Sequence, residues 1–71
     1  MAFYWTAKAL VTKQGRARDA FIALDNAKLS IVPVFGAIIT IVETATQKEV
    51  CKYKYKFVEC ENSIKLAWIK V

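Results

Sequence analysis

A chain of 71 residues has room for one hydrophobic core and no second domain. Its composition, 56% hydrophobic and 13% aromatic, exceeds the usual apolar share of about 45 to 50%; this excludes intrinsic disorder and supplies more apolar side chains than one small interior hides. Eleven Lys and Arg against six Asp and Glu give a net charge of +5, and the lack of histidine excludes Ser-His-Asp, Cys-His and His-metal chemistry within one chain.

From Phe3 to Val11 the apolar residues Phe3, Trp5, Ala7, Ala9 and Val11 fall at every second position, which predicts a strand. Lys13-Gln14-Gly15 then reads as a turn. The segment from Arg16 to Asp25 fits two descriptions. Ala17, Ala20, Phe21, Leu24 and Ala27 share one helical face. A helix starting at Arg16, however, has Arg16 and Arg18 at its positive end, Asp25 towards its negative end, and no capping side chain immediately before it. Charge placement therefore favours a strand, with Asp25-Asn26 as the following turn.

Leu29, Ile31 and Val34 resume an apolar run that Pro33 to Gly36 interrupts. Ile38 to Thr46 is β-branched almost throughout and extended, and Thr46-Gln47-Lys48 turns the chain. Val50 to Cys60 alternates cleanly, with Cys51, Tyr53, Tyr55 and Phe57 on one face and Lys52, Lys54 and Lys56 on the other. A slip in parity at Phe57-Val58 marks a bulge, a bend or the end of the strand near Glu59. Glu61-Asn62-Ser63 turns into a last strand, Ile64 to Val71. The sequence thus predicts a single all-β domain over residues 1–71, an antiparallel meander of about six strands forming a curled sheet or a closed barrel. The alternative is an α+β domain with one helix at about 16–27 packed on a five-stranded sheet.

The N-terminus shows no basic leader with a long apolar run, and Ile31 to Val42 holds 12 residues with Pro33 and Gly36, short of the roughly 20 that span a bilayer. Core, not membrane, is the expected place for it. Cys51 and Cys60 sit nine steps of about 3.3 Å apart on one strand, beyond the roughly 7 Å reach of a disulfide, so free thiols and a cytoplasmic location are expected.

No cofactor or metal is expected: CxxC is missing, and Gly15 and Gly36 stand alone, making neither a phosphate loop nor a dinucleotide fingerprint. Glu59 and Glu61 are a carboxylate pair of the sort that also forms an ordinary solvated strand end, so no enzymatic role is expected. Two sets of residues stand out. Pro33, Val34 and Phe35 place apolar side chains at a turn, and Tyr4 and Trp68 are further aromatic anchors; together they suggest an interface. Lys52, Lys54 and Lys56, with Arg16 and Arg18, suggest an anion site, although three lysines at period two also describe the solvated face of any strand. The resulting expectation is a homo-oligomeric binding or assembly module that engages a macromolecular partner through apolar strand and turn surfaces. The alternative is a binder of nucleic acid or a nucleotide-like anion through the lysine face.

Overall fold

The first alternating segment becomes strand β1 (Phe3–Lys8) in the computed structural model, which describes residues 2–71. It is followed by β2 (Thr12–Ala17), α1 (Ala20–Ser30), β3 (Ile38–Glu43), β4 (Lys48–Cys60) and β5 (Ser63–Lys70). Among the described residues these are five strands and one helix. The strands pair antiparallel in the order β2-β1-β3-β4-β5, so β1, β3 and β4 are interior and β2 and β5 form the two edges. The edges are separated by three strands and the sheet stays open, which removes the closed barrel from the expectation.

Several local readings are corrected, two of them near the N-terminus. Lys13-Gln14-Gly15 lies inside β2, and the chain reverses earlier, at Ala9–Val11, where Ala9 N donates to Val11 O at 3.0 Å. Gly15 serves a close approach instead of a turn. It pairs with Trp5 across the β1–β2 ladder, and a Cβ added there would stand 2.7 Å from Trp5 Cζ2, under any normal contact. The indole therefore lies directly over the glycine backbone.

The strand expected from Arg16 to Asp25 is the second correction. It is helix from Ala20 onwards, so the six-strand count falls to five and the helix-bearing alternative describes the architecture. The cap missing before Arg16 is Asp19: its backbone is extended (φ −136°, ψ 141°) and its carboxylate accepts from Phe21 N at 2.7 Å. Arg16 and Arg18 precede the helix and its Asp19 cap, while Lys28 stands in the last turn where a cation is favoured. Asp25 and Asn26 lie within the helix.

α1 presents Ala23 and Ala27 to the sheet, both fully buried, against Trp5, Ala7, Ile39 and Ile41, with Ile31 and Ala37 closing the ends of the core. It packs across β1, β2 and β3 and reaches neither β4 nor β5. The β3–β4 ladder shifts register between Ile41, opposite Cys51, and Val42, opposite Glu49, so Val50 is the extra residue of a bulge. The expected slip at Phe57-Val58 is absent and β4 alternates through to Cys60. Gln47 (φ 59°) and Asn62 (φ 60°) supply the left-handed residues of the β3–β4 and β4–β5 turns. The long β4–β5 hairpin draws the molecule out to 43 × 22 × 16 Å and to a radius of gyration of 12.7 Å, where about 11 Å is usual for this length. Among the described residues no helix is long and apolar enough to cross a membrane.

Gly15→Ala is expected to lower the unfolding free energy in urea by about 1 to 3 kcal/mol, because Trp5 has to move off the new methyl. Unchanged stability would contradict the indole-on-glycine contact. Asp19→Ala should cost about 1 kcal/mol in the same titration.

Candidate interaction faces

Directly opposed residues of an antiparallel ladder share a face, so the register sorts β4 and β5 into two surfaces. On the side of α1, Tyr53, Tyr55, Phe57 and Glu59 stand opposite Lys70, Trp68, Leu66 and Ile64. On the far side, Lys54, Lys56 and Val58 stand opposite Ile69, Ala67 and Lys65.

The first surface is aromatic. Tyr55 and Trp68 pack at a centroid distance of 5.0 Å with a 56° tilt, and Phe35 and Phe57 at 5.3 Å with a 34° tilt. Phe35 arrives there because Gly36 turns with φ +88°, its N–H donating to Tyr55 O at 2.9 Å while Tyr55 N donates to Ala37 O at 2.8 Å. The turn is thereby tied to β4 by its main chain. Phe35 remains 62% exposed and Phe57 59% exposed, so their contact leaves most of both rings in water. At the end nearer α1, Phe21, Leu24, Val50, Cys51, Tyr53 and Lys70 border a shallow depression of about 170 Å³.

Of the apolar residues singled out in the sequence, Val34, Phe35 and Trp68 adjoin this surface, Pro33 is exposed beside them, and Tyr4 belongs to the opposite face. Phe57 shares its strand face with Tyr53 and Tyr55 as the alternation implies, but it is exposed while the two tyrosines are half-buried. No sequence signal separates Phe57 from the two tyrosines: its exposure follows from α1 stopping at β3, short of β4.

The second surface is basic. Lys52 stands opposite Thr40, which pairs onward with Thr6 and Gln14, and Lys54 stands opposite Ile38, which pairs with Lys8. Lys65 joins the lysines through Val58. Arg16 shares the face through Tyr4 and Val42, whereas Arg18 lies in the link to α1 and is not brought to it. Glu49, opposite Val42, is the carboxylate that the register puts on this side. Tyr4 donates its hydroxyl to Gln14 Oε1, and Tyr4, Thr6, Arg16, Val42, Thr44 and Gln47 border a depression of about 390 Å³.

Among the described residues no group of three or more His, Cys, Asp or Glu is placed to hold a metal ion. Cys51 and Cys60 are free thiols on opposite faces of β4. Burial pushes the Cys51 thiol above its ordinary range; the Lys70 ammonium opposes the shift and the Glu49 carboxylate adds to it. No family model, curated protein or solved structure matches the chain.

Because a raised pKa leaves less thiolate at any given pH, iodoacetamide should alkylate Cys51 more slowly than free cysteine at pH 8, with a rate still climbing above pH 9. Mass spectrometry of the modified peptide reads this, and a midpoint below about 8.5 would contradict the buried setting.

Proposed function

We propose that the protein is a non-enzymatic assembly module that pairs with a second copy of itself through the aromatic face of β4–β5, and that the assembled particle engages a macromolecular partner. The observation that carries this reading is the halt of α1 at β3, which leaves Phe35, Phe57 and Leu66 exposed beside Tyr55 and Trp68. Area supports it. The chain exposes 5061 Å², whereas about 4450 Å² is usual for a monomer of 8.0 kDa. The surplus of about 600 Å² approaches the roughly 800 Å² that each partner contributes to a standard interface.

Charge favours one arrangement of the pair. Lys70, opposite Tyr53, and Glu59, opposite Ile64, lie on the same face at the two ends of the aromatic patch. Two such sheets stacked face to face about 10 Å apart, with β4 running against β4 of the second copy, set Tyr55 over Phe57 and bring each Glu59 near a Lys70. A two-fold axis makes both ion pairs at once. Cys51 and Cys60 remain thiols in this assembly, which suits a reducing, cytoplasmic setting.

Sedimentation velocity tests the pairing. The native chain should sediment as a dimer whose boundary moves towards monomer on about tenfold dilution, and Phe57→Glu should sediment as monomer throughout. Glu59→Lys and Lys70→Glu should each weaken the dimer about fivefold, and the double exchange should restore most of the loss. A monomer boundary unchanged over a tenfold concentration range would overturn self-association; an unrestored double exchange would overturn the antiparallel arrangement alone.

A further inference from the structure

We propose that the face of the sheet turned away from α1 binds the sugar-phosphate backbone of a single-stranded nucleic acid. This site is separate from the aromatic face and stands whether or not the chain self-associates. Lys52, Lys54 and Lys56 succeed one another on β4 at about 7 Å, and Lys65, opposite Val58, continues the row towards the hairpin end. The row is one side chain wide and about 20 Å long, the form of an extended strand's phosphates rather than of two strands flanking a duplex groove. Lys8 stands beside Lys54 across β3, and Arg16 stands further along at the β2 edge. Lys8, Arg16, Lys52, Lys54, Lys56 and Lys65 thus share a face on which the register puts Glu49 as the opposing charge.

A row of lysines alone describes many solvated strands. This sheet adds two features that a strand on its own lacks. Thr6, Thr40 and Gln14 lie in line with Lys52 and offer hydroxyl and amide donors to phosphate or sugar oxygens. The strand order also brings Tyr4 onto the lysine side, although the aromatics of β4 itself point away from it. Tyr4 and Arg16 border the depression of about 390 Å³, where a base stacks on the phenol ring while the guanidinium takes a phosphate.

Fluorescence anisotropy with labelled oligothymidylate and oligouridylate of about 20 nucleotides, and with a DNA duplex of equal length, tests the assignment. Both single strands should bind at least about tenfold more tightly than the duplex, and a preference between them assigns the backbone to DNA or RNA. The four lysines of the row and Arg16 make five phosphate contacts and give a salt slope of about −3.5, so raising NaCl from about 50 to about 200 mM should weaken binding about 130-fold. Lys52→Gln, Lys54→Gln and Lys56→Gln together should weaken it more than about tenfold and remove most of that slope. A control of equal charge change, Lys13→Gln, Lys28→Gln and Lys48→Gln, alters residues outside the row and should stay within about threefold. Tyr4→Ala should lose about fivefold or more at an unchanged slope, since stacking releases no counterions. Far-UV circular dichroism establishes that each variant folds. No binding at about 20 mM salt, equal loss in the two lysine triples, or tighter binding of the duplex would overturn the proposal.

Discussion

The width of a helix governs this structure. With side chains an α-helix is about 10 to 12 Å across and strands lie about 4.8 Å apart, so a helix seated on one strand covers that strand and its two neighbours. α1 sits on β1, held close by Ala7, Ala23 and Ala27, none of which retains any exposed surface. Trp5 fixes the seat from the other side. Its indole lies over Gly15, and its N–H finds no hydrogen-bond partner among the described residues, so shape alone holds the ring there. The cover therefore spans β2, β1 and β3, and the two remaining strands go without it.

The small size of the resulting core follows from the same seat. Its members are Trp5, Ile31, Ile39 and Ile41 together with the alanines Ala7, Ala23, Ala27 and Ala37. An alanine buries one methyl, whereas a fully buried isoleucine contributes about 1.5 to 3 kcal/mol, so half of the core positions add little burial energy in exchange for the close approach. The larger apolar groups went elsewhere: Phe21 and Leu29 on the outer side of α1, Phe35, Phe57 and Leu66 on the hairpin. Chains below about 80 residues commonly need a supplement to a core of this kind, and the pairing proposed above would supply one through the displaced aromatics.

Strand content was legible where periodicity was strong. The β-branched run of β3 gave its extended state and the Lys-Tyr alternation of β4 its two faces, because a pleat sends neighbours to opposite sides whatever the tertiary context. The helix was obscured for a physical reason: its inward face is alanine, while Phe21, Ile22 and Leu29 are exposed, so the contrast between apolar and polar faces nearly vanishes. Asp19 is the decisive residue: a helix drawn from Arg16 starts four positions too early and hides the cap inside it. Gly15 misled in the opposite direction, since a glycine needed for contact with an indole looks, in one dimension, like a glycine needed for a turn. The grouping of Tyr4 with the lysines was not legible at all, because it depends on β1 pairing with β3, which no local pattern encodes.

The division of chemistry between the two faces rests on Val50. With the bulge, Cys51 pairs with Ile41 and the following Tyr53 and Tyr55 fall on the side of α1, leaving Lys52, Lys54 and Lys56 on the other. If the ladder beyond Val42 and Glu49 continued without the extra residue, Ile41 would pair with Val50 and Thr40 with Cys51, and every later side chain of β4 would change sides. The lysines would then stand on the side of α1 and the tyrosines on the far side. One inserted residue near the start of β4 is therefore what separates the apolar surface on the side of α1 from the basic surface on the far side. A pair joined by the aromatic faces would turn its two basic faces outward in opposite directions, so a strand held on one would gain the second only by wrapping around the particle.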